Sequence, residues 1–351
     1  MESLRRLAGQ PVLGTAVTLI VPLVALAVLT ALSGSLLLER IVTVMFIHLI
    51  VVTGLQMFMG NSGIVSFAHI GFMGIGAYAT VLFSLDPGMK EMTLRYLYEF
   101  LKPVHLPFWM ALVVGTGIGT AIAAVISFPL MRLHDAAAVI TSFAVLIVIH
   151  DVIVHWSEVT NGPRTLYGVE RETFLWNSAL CALAGLVFAV WFRESKVGLQ
   201  LRASRDDRLA AQAIGVNMVF VRWLSFVLMC GYAAFAGGLF AHFITSFQPG
   251  QFYLREVFLV LAMLVIGGPG SVSGAVVGTL LVTALREGLR TGEAKLNLMQ
   301  IFSGQVVGLT EFLLAIAMIA ILIFRPAGLM QGRELRLPLG KAPAATPDRD
   351  P

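Results

Sequence analysis

Long apolar runs alternate with short polar stretches along the chain, and the length of each run decides what it can form. A helix needs about 20 apolar residues to cross a bilayer, whereas the apolar part of a signal peptide is about 7 to 15. Val12 to Ser33, preceded by Arg5 and Arg6, is long enough to be a first transmembrane helix with a cytoplasmic N-terminus. Ile41 to Leu85 carries no formal charge and is long enough to cross twice, with Gly60-Asn61-Ser62-Gly63 as the break between crossings. Asp86 to Lys102 has charges of both signs and reads as an extramembrane loop with a short surface helix.

Phe108 to Pro129 is a fourth span, with Gly115 and Gly119 spaced for close helix approach. Ala136 to His155 is a fifth, followed by a turn at Thr160 to Arg164, and Phe174 to Phe192 is a sixth. Trp223 to Phe243 is a seventh, with Ala233 and Gly237 at the same close-packing spacing. Val257 to Leu285 is interrupted by Gly267-Gly268-Pro269-Gly270-Ser271, which predicts two short segments meeting near or within the membrane. Arg286 to Lys295 is polar, and a last span runs from Thr310 to Phe324. The pattern predicts an all-α polytopic membrane protein of about ten transmembrane segments, with broken or short helices near 60–63 and 267–271. One transmembrane domain covers 1–330, and a Pro- and charge-rich, disordered cytoplasmic tail covers 331–351.

Composition agrees: 58% of residues are hydrophobic, 13% are charged and mean hydropathy is +0.86, against about 25% charged in soluble domains. The net charge of +4 is spread over loops and tails, which fits cytoplasmic loops beside anionic lipid and not a nucleic-acid surface. An even number of spans puts both termini on one side. The dense basic loop between the sixth and seventh spans assigns that side to the cytoplasm. Cys181 and Cys230 fall inside apolar runs, where a small packing role is expected and a disulfide is not.

That basic loop, Gly198 to Gly215, is the most highly charged part of the chain. On one helix Leu199, Leu209, Ala213 and Ile214 would share a face while Arg202, Arg205, Asp206 and Arg208 face water, and Gly215 suits a left-handed terminus. It is either a solvated connector or a docking helix for a partner.

An internal echo links the two breaks. Gly60 to Gly71 aligned with Gly267 to Gly278 matches Gly60, Gly63, Val65, Ser66, Ala68 and Gly71 with Gly267, Gly270, Val272, Ser273, Ala275 and Gly278. Either small residues converged for packing, or each half carries a broken helix lining one path, as in transporters built from repeats.

Catalytic chemistry is sparse. No Gly-x-x-x-x-Gly-Lys-Ser/Thr occurs, since Gly340-Lys341 is followed by Ala342, so ATP hydrolysis would belong to another chain. No Cys/His cluster has metal-site spacing, and a membrane enzyme would need convergent catalytic groups that the sequence does not offer. The histidines are scattered through the spans, and a relay through His48, Asp151 and Glu311 would favour an ion-coupled secondary transporter.

Three stretches together resemble the permease subunits of branched-chain amino-acid ABC importers of the LivM type. They are GNSGIVSFAHIGFMGIGAYAT at Gly60 to Thr80, LRASRDDRLAAQAIGVN at Leu201 to Asn217 with FAGGLFAH at Phe235 to His242, and the pair GGPGSVSGAVVG and FRPAGLM. The resemblance runs from about Ile41 to Met330. It implies an importer permease in the bacterial inner membrane, working by alternating access on branched-chain or other hydrophobic amino acids. The implied partners are a second permease, two cytoplasmic ATPase subunits that carry the ATP and Mg, an extracytoplasmic solute-binding protein and the lipid bilayer. No cofactor is implied in this chain.

The resemblance makes Arg202, Arg205, Asp206, Asp207, Ala210, Ala211 and Gly215 the candidate ATPase-coupling residues. Asn61, Ser62, Ser66 and His69, with Gly267, Gly270, Ser271 and Ser273, become candidates for lining the path. Met131 to Glu158 departs from the family pattern, and Ser204-Arg205-Asp206-Asp207 stands where relatives have Ile-Arg-Glu-Asn. These departures leave a urea, amide or other small-solute ABC permease as an alternative.

Overall fold

The computed structural model describes residues 2–133, 135–298, 308–325 and 328–335. Helix α1 (Glu2–Ser33) ends at Gly34, whose φ of +62° turns the chain, and Ser35 caps α2 (Leu36–Leu55) by accepting from the Leu38 amide. The helix continues into a π-helical turn, Gln56–Gly60, a wide turn that frequently marks functional sites. The chain is non-helical from 63 to 66 and resumes as α3 (His69–Ser84).

The expected surface helix is α4 (Pro87–Thr93), capped by Asp86. It is followed by α5 (Phe108–Leu130), α6 (Asp135–His155), the single turn α7 (Ser157–Thr160) and α8 (Leu175–Glu194). Two short helices, α9 (Lys196–Asp206) and α10 (Arg208–Ala213), precede α11 (Met218–Ile244). Then come α12 (Leu254–Gly267), α13 (Val272–Leu298) and α14 (Leu309–Phe324).

Among the described residues, eight helices are long and apolar enough to cross a membrane, and two shorter apolar ones lie at His69–Ser84 and Leu309–Ile321. Together they fall at the ten expected positions. Val257 to Leu285 breaks at its glycines as expected, between α12 and α13, but the two segments that meet there are longer than expected. The apolar windows are Pro249–Gly267 and Val272–Asn297, each of full crossing length. The second runs straight through Arg286 to Lys295 because that stretch is rich in good helix formers and Glu287 and Arg290 pair at 3.9 Å one turn apart.

The core sits around α2, α3 and α11. The window of Leu36–Gly60 is 89% buried, against 28% for Ala136–His155, so α2 is wrapped by protein while α6 offers its surface to lipid. Glycines set how closely the central helices approach. A Cβ on Gly237 would lie 1.9 Å from the Met73 carbonyl, and one on Gly115 would lie 2.3 Å from the Thr80 hydroxyl. The spacing of Gly115 with Gly119, and of Ala233 with Gly237, thus serves the α3–α5–α11 contacts. Cys181 and Cys230 are both free.

The tail expected to be disordered from Gln331 is placed as far as Leu335. Leu329 and Met330 donate their amides to the carbonyls of Ile266 and Gly267 at 3.0 Å, and Glu334 is bound beneath α13. This stretch thus supplies hydrogen-bond partners to the second glycine break. Residues 336–351 lie outside the described residues.

Candidate coupling and translocation site

The basic loop folds as two helices rather than one. Ser195 caps α9 through the Gly198 amide, and Asp207, extended at φ −147°, ends it and caps α10 by accepting from the amides of Leu209 and Ala210 at 2.9 and 3.0 Å. Gly215, at φ +85°, turns the chain out, and Asn217 caps α11. Asp207 breaks the 3.6-residue period, so the expected apolar face is not buried. Leu201 and Ala211 pack with Val216, Met218 and Val221 instead, while Leu199, Leu209 and Ile214 are 50%, 79% and 78% exposed. Ala213 is also exposed. Of the expected coupling residues, Arg205, Asp206, Asp207, Ala210 and Gly215 are exposed, Arg202 is half-buried and Ala211 supports the unit from inside.

Two arginines, one in this unit and one at the end of α8 just before it, reach the two breaks. Arg205 donates to the Gly60 carbonyl at 2.9 Å, and its side chain covers Gly63, whose φ is +75°. Arg193, at the end of α8, donates to the Gly270 carbonyl at 3.3 Å and pairs with Glu334 at 2.5 Å. Arg202 donates to the Arg193 carbonyl at 3.0 Å. Burial first, and the like charge of Arg193 second, lower the Arg202 pKa. Glu334 accepts from the amides of Val272 and Ser273 at 2.8 and 3.0 Å, so a carboxylate sits at the positive end of α13.

The breaks touch each other. A Cβ on Gly60 would lie 2.1 Å from the Pro269 carbonyl oxygen, and the Gln56 amide reaches that same oxygen at 3.5 Å. Asn61 donates to the Met57 carbonyl, the Ser62 hydroxyl accepts from the Ile64 amide and His69 Nδ1 bonds the Ser66 carbonyl. Gly267 packs against the Gly274 carbonyl, Ser271 caps α13 through the Gly274 amide, and the Ser273 hydroxyl meets Glu334 at 2.5 Å. Asn61, Ser62, Ser66, His69, Ser271 and Ser273 are all buried, and none lines a described cavity. The buried Ser66 hydroxyl and His69 Nε2 have no hydrogen-bond partner among the described residues.

The two echoing segments share the order helix, glycine break, helix but pack differently. α12 and α13 lie against each other, whereas α3 leaves α2 and packs on α11 and α5. The proposed relay of His48, Asp151 and Glu311 is not assembled. His48 pairs with Glu256 at 2.5 Å, Asp151 pairs with His155 on an exposed turn, and Glu311 pairs with Arg255. Sequence reasoning missed Glu256, Arg193 and Glu334. A lone acid between two long apolar runs is a signal for the first, because a carboxylate at membrane depth needs a partner.

Comparison with known proteins agrees with this architecture. The family described as branched-chain amino acid transport system, permease component, matches residues 37–322. The high-affinity branched-chain amino acid transport system permease protein LivM of Salmonella typhimurium is 25% identical over 338 residues, covering 86% of this chain and 72% of that one. The corresponding LivH protein of Escherichia coli K12 is 24% identical over 251 residues, covering 67% and 79%. The BraD permease protein of Pseudomonas aeruginosa is 25% identical over 301 residues, covering 81% and 91%. No solved structure matches. The chain belongs to the permease-component family of branched-chain amino acid transport systems, and is a multi-pass transport permease of the bacterial inner membrane rather than an enzyme.

Proposed function

We propose that this chain is one half of the permease pair of an ATP-binding-cassette importer that moves branched-chain or other hydrophobic amino acids inward. In this reading a second, homologous permease completes the path. Two cytoplasmic ATPase subunits bind the α9–α10 unit, and an extracytoplasmic binding protein delivers the cargo. The observation that carries the reading is a chain of guanidinium contacts: Arg205 of the α9–α10 unit donates to Gly60, and Arg202 of the same unit holds the carbonyl of Arg193 at the end of α8, whose own guanidinium donates to Gly270.

The physical consequence is a lever. Exposed Leu199, Leu209 and Ile214 give an ATPase an apolar surface to hold, and the capped helices beneath them are stiffened by Asp207 and by the small core of Leu201 and Ala211. A push on that surface reaches α2, α3, α12 and α13 through hydrogen bonds to backbone carbonyls. Asn61, Ser62, Ser66, His69, Gly267, Gly270, Ser271 and Ser273 then act as hinge and lining residues that become accessible as the breaks open. The unpartnered Ser66 and His69 atoms favour such exposure, because a buried polar atom without a partner costs about 1–3 kcal/mol.

The test is uptake into proteoliposomes containing this chain, the second permease, the ATPases and the binding protein. The reading expects leucine uptake that requires ATP. Uptake driven by an ion gradient without ATP would replace it with the secondary-transporter alternative. ATP-driven uptake of urea or an amide in place of leucine would keep the machine and change the cargo.

A further inference from the structure

Beneath the outer ends of α12, α13 and α14 lies a cavity of about 370 Å³, within the range of small-molecule pockets. One end is charged, with Arg255, Glu256, Arg286 and Glu311, and the remainder is apolar, including Ile266 and Met318. We propose that this cavity is a binding site for a zwitterionic amino acid with an apolar side chain, the carboxylate on Arg286 and the ammonium between Glu256 and Glu311. The inference rests on the importer reading and adds to it a place where this chain holds its cargo.

Depth is the first argument. Glu256 precedes Gly267 by eleven residues and Arg286 follows Val272 by fourteen, about 17 and 21 Å of helix rise from the shared break. Both fall within stretches long and apolar enough to cross a hydrocarbon layer about 30 Å thick, Pro249–Gly267 and Val272–Asn297. Charges there are costly and mark substrate or ion pathways. Glu256 is held by His48 at 2.5 Å, and Glu311 is held by Arg255. Arg286 attracts the Glu256 carboxylate but has no hydrogen-bonded partner among the described residues. A guanidinium carries five donors in a fork that matches a carboxylate.

Charge balance is the second argument. Two guanidinium groups and two carboxylates sum to zero, so a zwitterion enters without changing the net charge of the site. A lone carboxylate would add a net negative charge to the site, and a lone ammonium a net positive one. The apolar end accepts a branched side chain at about 25 cal/mol per Å² of buried area, which an amide as small as urea cannot use.

The experiment uses the whole importer in lipid nanodiscs with a photoreactive diazirine analogue of leucine, and maps the label by mass spectrometry. The expected result is label on the α12 and α14 peptides containing Ile266 and Met318, competed by leucine. Isopentylamine, which lacks the carboxylate, and 4-methylpentanoate, which lacks the ammonium, should compete at least 100-fold less well. Arg286→Gln should lower the labelling at least tenfold, and Arg286→Lys, which keeps the charge, should recover part of it, which separates a lost contact from a misfolded chain. Label confined to other helices, or label in these peptides that leucine does not displace, as for a site filled by a zwitterionic lipid, overturns the proposal. Leucine uptake is measured on the same preparation: uptake without label here removes only this site, whereas absence of ATP-driven amino-acid uptake removes the importer reading with it.

Discussion

The guanidinium of Arg205 donates to the carbonyl of Gly60 at 2.9 Å, joining helix α9 to the end of the most deeply wrapped span. At that end the π-helical turn has already loosened the backbone, and a Cβ on Gly60 would strike the Pro269 carbonyl of the other break. Arg193, held through its carbonyl by Arg202, makes the matching contact to Gly270, so both breaks and the basic loop form one hydrogen-bonded layer.

Substituting Gly60→Ala should disrupt that layer. The added methyl would meet a backbone oxygen at 2.1 Å, and overpacking of this kind costs about 1–3 kcal/mol. Leucine uptake should fall and the thermal midpoint should drop. Gly250→Ala, whose Cβ would face open space, is the control and should leave both unchanged.

Removing the Glu334 carboxylate tests the placed part of the tail. Glu334 is nearly buried, with its side chain 4% exposed, and Arg193 is at 12%. Breaking a buried pair by deleting one partner costs about 3–5 kcal/mol. Glu334→Gln should therefore lower thermal stability clearly, whereas truncation after Leu335 should not. Equal melting of wild type and Glu334→Gln would show that the Glu334 contacts hold nothing.

The spans were readable because crossing length is a property of composition, and the uncharged runs at Ile41 to Leu85 and Val257 to Leu285 each split at their glycines. The break at Asp207 was harder to read, since Leu199, Leu209 and Ile214 fit one helical face and only the capping bonds of Asp207 override that period. Glu334 lay in a stretch whose composition reads as disordered, and its contacts are with residues more than 60 positions away. The His48–Glu256 pair joins residues 208 positions apart, which no local pattern encodes.

The exposed leucine and isoleucine of α10 and its exit predict where a partner seats. Burying a Leu or Ile side chain is worth roughly 1.5–3 kcal/mol, so Leu209→Asp with Ile214→Asp should weaken ATPase capture about 100-fold or more. Co-purification of the ATPase with the double variant at the wild-type level would favour the solvated-connector reading. Ala211→Trp should act differently, by disrupting the small core that supports α10.

Topology is checked by cysteine labelling in a background lacking Cys181 and Cys230. Leu209→Cys, 79% exposed, and Tyr96→Cys, 75% exposed, should react with an impermeant maleimide from opposite faces, the first only from the cytoplasm. Ser204 is a poor probe because it is 4% exposed and bonded to the Leu201 carbonyl. Reaction of both from one face would break the ten-segment arrangement.

The most direct measurement of the lever is leucine transported per ATP hydrolysed in the reconstituted importer, compared between wild type, Arg205→Lys and Arg205→Ala. Arg205→Ala removes the contact to Gly60 while leaving Leu209 and Ile214 on the docking surface. The account predicts that the ATPase still co-purifies, that Arg205→Ala lowers transport per ATP at least tenfold, and that Arg205→Lys falls in between. A wild-type ratio in Arg205→Ala would contradict it, because the force would then reach the breaks without this contact.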